Sequence, residues 1–227
     1  MNPPYDFTHC SKEILQIIKF IKSENPNQFF IGDNNLVTNR YFSSQEKFVN
    51  IIQNIKNKLG SSKLVVIEIS SLKILIYKKM LTFQLDLYNS LFNNEPKHIE
   101  RFKNIDKNDI LENTEITVQT KEELYKDLEE IYNFFTSLNI KVLYVSYVNF
   151  YTNTDNDLIE NRKIICDTIK EFTITKECYH FDPNEHLGFE PKNIFDIRKH
   201  TNYGHYSKTA ESVIFNKLKE RISEILK

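Results

Sequence analysis

Two stretches of this chain, K-L-V-V-I-E-I-S (Lys63–Ser70) and I-K-V-L-Y-V-S-Y-V (Ile140–Val148), are apolar or β-branched at successive positions rather than at alternate ones. A strand with one wet face alternates. A strand covered on both faces reads as a nearly continuous hydrophobic run, the habit of strands in a parallel sheet. Amphipathic helical patterns lie before and after these runs. Ile14, Ile17, Ile18 and Ile21 share one helical face from Ser11 onward, and Pro26 ends that helix. A second helix is predicted over Gln45–Leu59, stopped by Gly60. Thr120 and Glu123 form a capping box at the start of a helix with Leu124, Leu128, Ile131, Phe135 and Leu138 on one stripe. A helix over 156–172 turns Leu158, Ile165, Ile169 and Phe172 inward. C-Y-H-F (Cys178–Phe181) reads as a third strand, closed by Asp182-Pro183. A last helix from Lys208, with Ser207 as N-cap, buries Ala210, Val213, Ile214, Leu218, Ile222 and Ile225. Gln28–Gly32 reads as a short strand, 71–93 as helical, and 94–118 as a polar connection. Strand and helix alternating in this way predict one α/β domain over 1–227. Its architecture is a three-layer α/β/α sandwich on a mainly parallel sheet.

Composition narrows the function classes. The formal net charge is -1, which offers no basic stripe for nucleic acid. No apolar run reaches bilayer length. The start M-N-P-P-Y-D-F lacks a basic n-region and an apolar h-region, so no secretory signal is expected. The 3 cysteines, Cys10, Cys166 and Cys178, are odd in number and far apart, as expected of reduced thiols in a cytoplasmic protein. With 4 glycines the chain has neither phosphate-cradling loop motif, so no nucleotide cofactor is expected. His9, His180 and His186 match no zinc spacing, and no metal is expected.

In open α/β sheets ligands sit beyond the carboxyl ends of the strands. That rule selects Glu68, Ser70 and Ser71 after the first buried strand, Ser146 and Asn149 after the second, and Asp182 after the third. It also selects the loop Asp196–His205, which gathers an aspartate and two histidines before a helix N-terminus. A hydroxyl nucleophile needs a base within hydrogen-bond reach, and that base needs an orienting acceptor. One loop carrying both suits acyl transfer. Asp, Asn, Gly and Ser are also ordinary turn residues, so the same loop reads as a simple helix approach. Arg162 falls on the inward stripe of its helix with Leu158 and Ile165. Its default role is a snorkelling stem, with a pair to Glu68 or a substrate contact as the alternatives.

K-L-V-V-I-E-I-S-S-L-K, then I-K-V-L-Y-V-S-Y-V-N-F-Y followed by Asn161-Arg162, then F-D-P-N-E with D-x-x-x-H and G-H-Y-S, resemble the SGNH/GDSL hydrolase superfamily. The likeness is nearest to the divergent SGNH-like proteins of bacterial polysaccharide and capsule gene clusters. It implies a flavodoxin-like sandwich and Ser-His-Asp ester chemistry on an acylated carbohydrate or other acyl ester, in the hydrolytic or the transfer direction. By position His205 is the base, with Asp196 as its orienter. The superfamily places its Asp three residues before that His, where this chain has Asn202, and His200 is a rival base. On this reading Ser70 or Asn149 would donate to the oxyanion, and Arg162 would, in place of its default role, contact the substrate. The superfamily's serine is missing. Either F-F-I-G-D-N-N-L is the motif, with Asn34 in the serine's place, or the first strand and its serine precede Met1. The second placement fits S-K-E-I-L-Q-I-I-K-F-I better. The nucleophile is therefore unknown, with Ser11, Cys10 and Ser70 as substitutes. The rival functions are an inactive relative kept for glycan binding or structure, and a fragment without its nucleophile segment.

Overall fold

The computed structural model describes residues 10–26, 45–77, 81–83, 107–147, 156–187 and 207–227. The predicted strand at Gln28–Gly32 lies outside them, as do Asn149, Asp196, His200 and His205. Contacts divide the chain into two compact units, Met1–Ser62 with Leu72–Phe134, and Lys63–Ser71 with Phe135–Lys227.

The second unit is built on β1 (Leu64–Ile69), β5 (Lys141–Ser146) and β6 (Tyr179–Phe181), in the order β1-β5-β6 and parallel throughout. The register sets Ile67 beside Tyr144, Ile69 beside Ser146, and Tyr144 beside His180. Every β5 residue from Val142 to Ser146 is buried, as the unbroken apolar run predicts, whereas β1, at the edge of this sheet, departs from that reading: Ile67 and Ile69 are buried but Val66 is 42% exposed. Side chains alternate between faces along a strand. Leu143 and Val145, with Phe181, pack on one face against the last helix, α6 (Lys208–Ile225), through Ile225, Ile222, Leu218 and Ile214. On the opposite face Tyr144 meets Phe172 of α5 (Asn156–Thr175) edge to face, ring centroids 5.6 Å apart. Helices thus cover both faces, the α/β/α layering expected.

Local signals set the ends of these elements. Ser207 Oγ accepts from the Ala210 backbone N–H at 3.1 Å and starts α6. At the other end of α6, Lys141 Nζ donates to the Ile225 carbonyl at 2.6 Å and lies 5.9 Å from the Tyr179 ring centroid. A cation at a helix C-terminus satisfies an orphan carbonyl and complements the dipole. Because Lys141 opens β5, the C-terminus of α6 is fixed at the amino side of the sheet. The helix runs back over Leu143 and Val145, so Ser207 stands on the carboxyl side. The turns entering β5 and β6 are built alike. Asn139 (φ 58°) and Glu177 (φ 52°) adopt left-handed backbone after α4 (Lys121–Ser137) and α5. Ile140 N–H then donates to Phe135 O at 3.0 Å, and Cys178 N–H to Thr173 O at 3.0 Å. These are Schellman closures, which satisfy the last helical carbonyls.

The first unit holds α1 (Ser11–Lys22), α2 (Gln45–Leu59), α3 (Lys107–Glu112), most of α4, and an antiparallel sheet β3-β2-β4. That sheet corrects the sequence reading. Within the stretch expected to be helical, Lys73–Tyr77 is β2 and Leu81–Phe83 is β3; within the expected polar connection, Thr114–Val118 is β4. K-I-L-I-Y is a short apolar run, which periodicity alone cannot assign. Its ladder is made with β4, Lys73 opposite Val118 through Tyr77 opposite Thr114, a pairing distant in sequence. The capping box is present, with Thr120 N–H donating to Glu123 Oε2 at 2.8 Å and Glu123 N–H to Thr120 Oγ1 at 3.2 Å.

A buried polar cluster ties this unit together. Ser11 Oγ donates to Asp127 Oδ2 at 2.6 Å across 116 residues of sequence. Gln119 Nε2 donates to the same oxygen at 2.6 Å, and Lys12 Nζ to Asp127 Oδ1 at 2.6 Å. Gln119 N–H also donates to Leu72 O at 2.9 Å, holding the residue after β4 beside the one before β2. Asp127→Ala removes the shared acceptor, leaving the buried Gln119 Nε2 and Lys12 Nζ without it and Ser11 Oγ with only Gln119 Oε1 at 2.9 Å, so urea unfolding is expected to show a loss of about 2–4 kcal/mol. A change within about 0.5 kcal/mol would mean that the cluster holds nothing.

Candidate functional site at the carboxyl ends of the parallel strands

β5 ends at Ser146, whose side chain follows Tyr144 onto the α5 face. β6 places His180 beside Tyr144 on that same face. Ser146 Oγ and His180 Nε2 are 2.7 Å apart. Ser146 is 1% exposed. A buried hydroxyl without a partner is costly, and the imidazole supplies that partner. His180 is half-buried. Burial holds its pKa below the ordinary value of 6.5, while the Asp182 and Glu185 carboxylates pull it up and Lys170 and Arg221 push it down. Desolvation prevails, so the ring is neutral at pH 7 and carries a lone pair.

Asp182 caps the turn that follows β6. Its Oδ1 accepts from Asn184 N–H at 2.9 Å and from Asn184 Nδ2 at 2.6 Å. Asn184 Nδ2 also reaches the Tyr147 carbonyl at 3.5 Å, which links this turn to the end of β5. Phe181 and His186 stack with ring centroids 5.1 Å apart.

Cys166 of α5 lies against the same spot. Its Sγ donates to Tyr147 O at 3.1 Å, and burial raises its pKa to about 12. A thiol titrating there stays protonated and unreactive at neutral pH. Arg162 is buried one turn earlier, with its guanidinium carbon 4.7 Å from the Tyr147 ring centroid. This is the inward placement expected of Arg162, and the aromatic face offsets its desolvation. Burial raises the Tyr147 pKa, with Arg162 lowering it and Glu68 raising it. Glu68 belongs to the other face of the sheet, since Ile67 and Ile69 take the Tyr144 and Ser146 side. Its residue keeps open surface, yet protein atoms crowd the carboxyl, and that desolvation raises its pKa. Of the other sequence candidates, Ser70 follows β1 and is half-buried. Ser11 is committed to Asp127 and buried, and Cys10 is buried with a pKa raised to about 12, mainly by desolvation. Neither offers a nucleophile. Asn149, Asp196, His200 and His205 lie outside the described residues.

The strand-end rule had selected Ser146 and Asp182. It missed His180, which sits within a strand, because the meeting of His180 with Ser146 depends on strand order and register. Among the described residues no group of three or more His, Cys, Asp or Glu side chains is arranged to hold a metal ion, and no helix is long and apolar enough to cross a membrane. No protein-family model, curated protein or solved structure matches the chain.

A depressed imidazole pKa has a signed consequence for stability. As pH falls below about 6.5, the unfolded chain's imidazole takes its proton before the folded one does. Stability conferred by His180 is therefore complete above that pH and is lost as pH falls toward the folded pKa. The His180 ring signals in an NMR titration should show a midpoint below 6.5. A midpoint at or above 6.5 would mean that the carboxylates outweigh burial.

Proposed function

We propose that this chain is an SGNH-like ester hydrolase or acyltransferase acting on an acylated carbohydrate, with its chemistry at the carboxyl ends of β1, β5 and β6. The observation that carries the reading is the 2.7 Å contact between Ser146 Oγ and His180 Nε2. A hydroxyl held on a neutral imidazole is the minimal unit of nucleophilic acyl transfer. In this scheme Nε2 takes the Ser146 proton as Oγ bonds to the acyl carbon. The carbon–oxygen bond to the sugar alkoxide then breaks, and the proton passes to that alkoxide. Water or a second sugar hydroxyl completes hydrolysis or transfer by the reverse sequence. Asp182 and Glu185 favour the imidazolium formed in between. Arg162, buried against the Tyr147 ring at the end of β5, is the candidate substrate contact, and Ser70 is the described candidate for an oxyanion donor. His205, with Asp196 as its orienter, remains the base that the family resemblance assigns, and His200 is its rival. His205 competes with His180 for that role.

A second reading is favoured by one observation. Ser146 is 1% exposed, and a nucleophile must meet its substrate. On that reading the pair only satisfies buried polar groups, and the chain is an inactive relative that binds glycans or serves a structural role.

Hydrolysis of p-nitrophenyl acetate and of an O-acetylated oligosaccharide separates the two. The first reading predicts a rate above buffer that His180→Ala lowers by about 10²–10⁴-fold, the usual worth of a general base. Ser146→Ala should lower it similarly. Loss in His205→Ala with His180→Ala unaffected would move the base to the loop before α6. Equal rates for wild type and all three variants would end the enzyme reading.

A further inference from the structure

The Ser146 hydroxyl has two polar neighbours. His180 Nε2 is 2.7 Å from Oγ. The other is Cys166 on α5, whose sulfur lies within hydrogen-bond reach of the same hydroxyl. Both Ser146 and Cys166 are buried. The hydroxyl has one proton to give, and the neighbour that takes it decides the tautomer of the ring. Given to Nε2, it leaves the ring's own proton on Nδ1, and Nε2 is ready to abstract. Given to the sulfur, it obliges Nε2 to carry the ring proton and donate it to Oγ. No lone pair of the ring then faces the hydroxyl.

Cys166 brings a proton of its own, and that proton is already committed. The thiol stays protonated at neutral pH, and Sγ donates to the Tyr147 carbonyl at 3.1 Å. The same carbonyl also receives Asn184 Nδ2 at 3.5 Å. What the sulfur offers Ser146 is therefore a lone pair, and thiol sulfur is a weak acceptor beside an imidazole nitrogen. We propose that Cys166 is a positioning residue: it spends its proton on Tyr147 O and offers Ser146 only a poor acceptor, which keeps the Ser146 proton on His180 Nε2. The proposal deepens the reading of Ser146 and His180 as nucleophile and base, and rests on it. It also gives a reason for a thiol rather than a hydroxyl at this place. Cys166→Ser keeps a donor for Tyr147 O in nearly the same space, but its oxygen is a strong acceptor. It would complete a chain of donors running from Nε2–H through Ser146 and position 166 to Tyr147 O, and the ring would lose its lone pair toward Ser146.

Nitrogen-15 NMR of the histidine side chains in the full chain tests this, at about pH 8, where an ordinary imidazole is neutral. The His180 signals are identified by their loss in His180→Ala. Wild type should show a bare Nε2 and a protonated Nδ1. Cys166→Ala should keep that tautomer, because a buried hydroxyl left with the ring alone must donate to it. Cys166→Ser should move the proton to Nε2. Lost packing alone would act more strongly in Cys166→Ala than in Cys166→Ser, so the opposite order separates positioning from a structural role. If Cys166→Ser leaves about one ring in ten with Nε2 bare, bonding of a fluorophosphonate to Ser146 should slow about tenfold, with Cys166→Ala within about twofold of wild type. A protonated Nε2 in wild type, a shift in Cys166→Ala, or a wild-type tautomer in Cys166→Ser would overturn the proposal. The tautomer is read without substrate. A chain that showed all three expected tautomers yet bonded no fluorophosphonate and hydrolysed no ester would end the catalytic reading, while Cys166 still directed the proton.

Discussion

The second unit depends on the burial of β5 from both sides. Leu143 and Val145 can be dry only if α6 covers one face, and Tyr144 only if α5 covers the other. Once both helices are in place, the parity of the strand decides where its polar end points. Ser146 is carried under α5, away from water, and its hydroxyl needs a partner there. The next strand supplies His180 on the same face. The contact that makes chemistry conceivable is thus first a consequence of packing. Burying an unpaired hydroxyl costs about 1–3 kcal/mol, enough to fix the ring's position.

The same desolvation sets the electrostatics. It lowers the imidazole pKa and raises those of Cys166, Glu68 and Tyr147, so each of these four groups is pushed toward its neutral form. Arg162 keeps its charge, and it does so against the Tyr147 ring. A neutral base beside a hydroxyl, with two carboxylates near enough to favour its protonated form, is chemically asymmetric in a useful way. Resting protonation is disfavoured by burial. Transient protonation is assisted by charge.

Much of the second unit was legible in the sequence because its signals are local. Continuous apolar runs marked β1 and β5, Ser207 marked the start of α6, and Thr120 with Glu123 marked the start of α4. Arg162 was legible as inward because it shares a helical stripe with Ile165. The first unit was less legible. K-I-L-I-Y becomes a strand by pairing with T-E-I-T-V, and nothing within either segment names the other. Asp127 was missed for a similar reason. It is a charged residue on a helix otherwise read by its leucines, and its partners Ser11 and Gln119 come from elsewhere in the chain. At the candidate site, the rule of strand ends found Ser146 and Asp182. Periodicity could not find His180, because pairing it with Ser146 requires knowing that β6 lies beside β5 with Tyr144 opposite His180.

The central claim is that packing has placed a usable hydroxyl on a neutral imidazole. The most direct measurement is peptide mass spectrometry of the folded chain after exposure to a fluorophosphonate, which bonds to serines activated by a neighbouring base. The account predicts a phosphonyl adduct on Ser146 that disappears in His180→Ala. A folded protein with no adduct, or one modified at another serine and indifferent to His180, would contradict it.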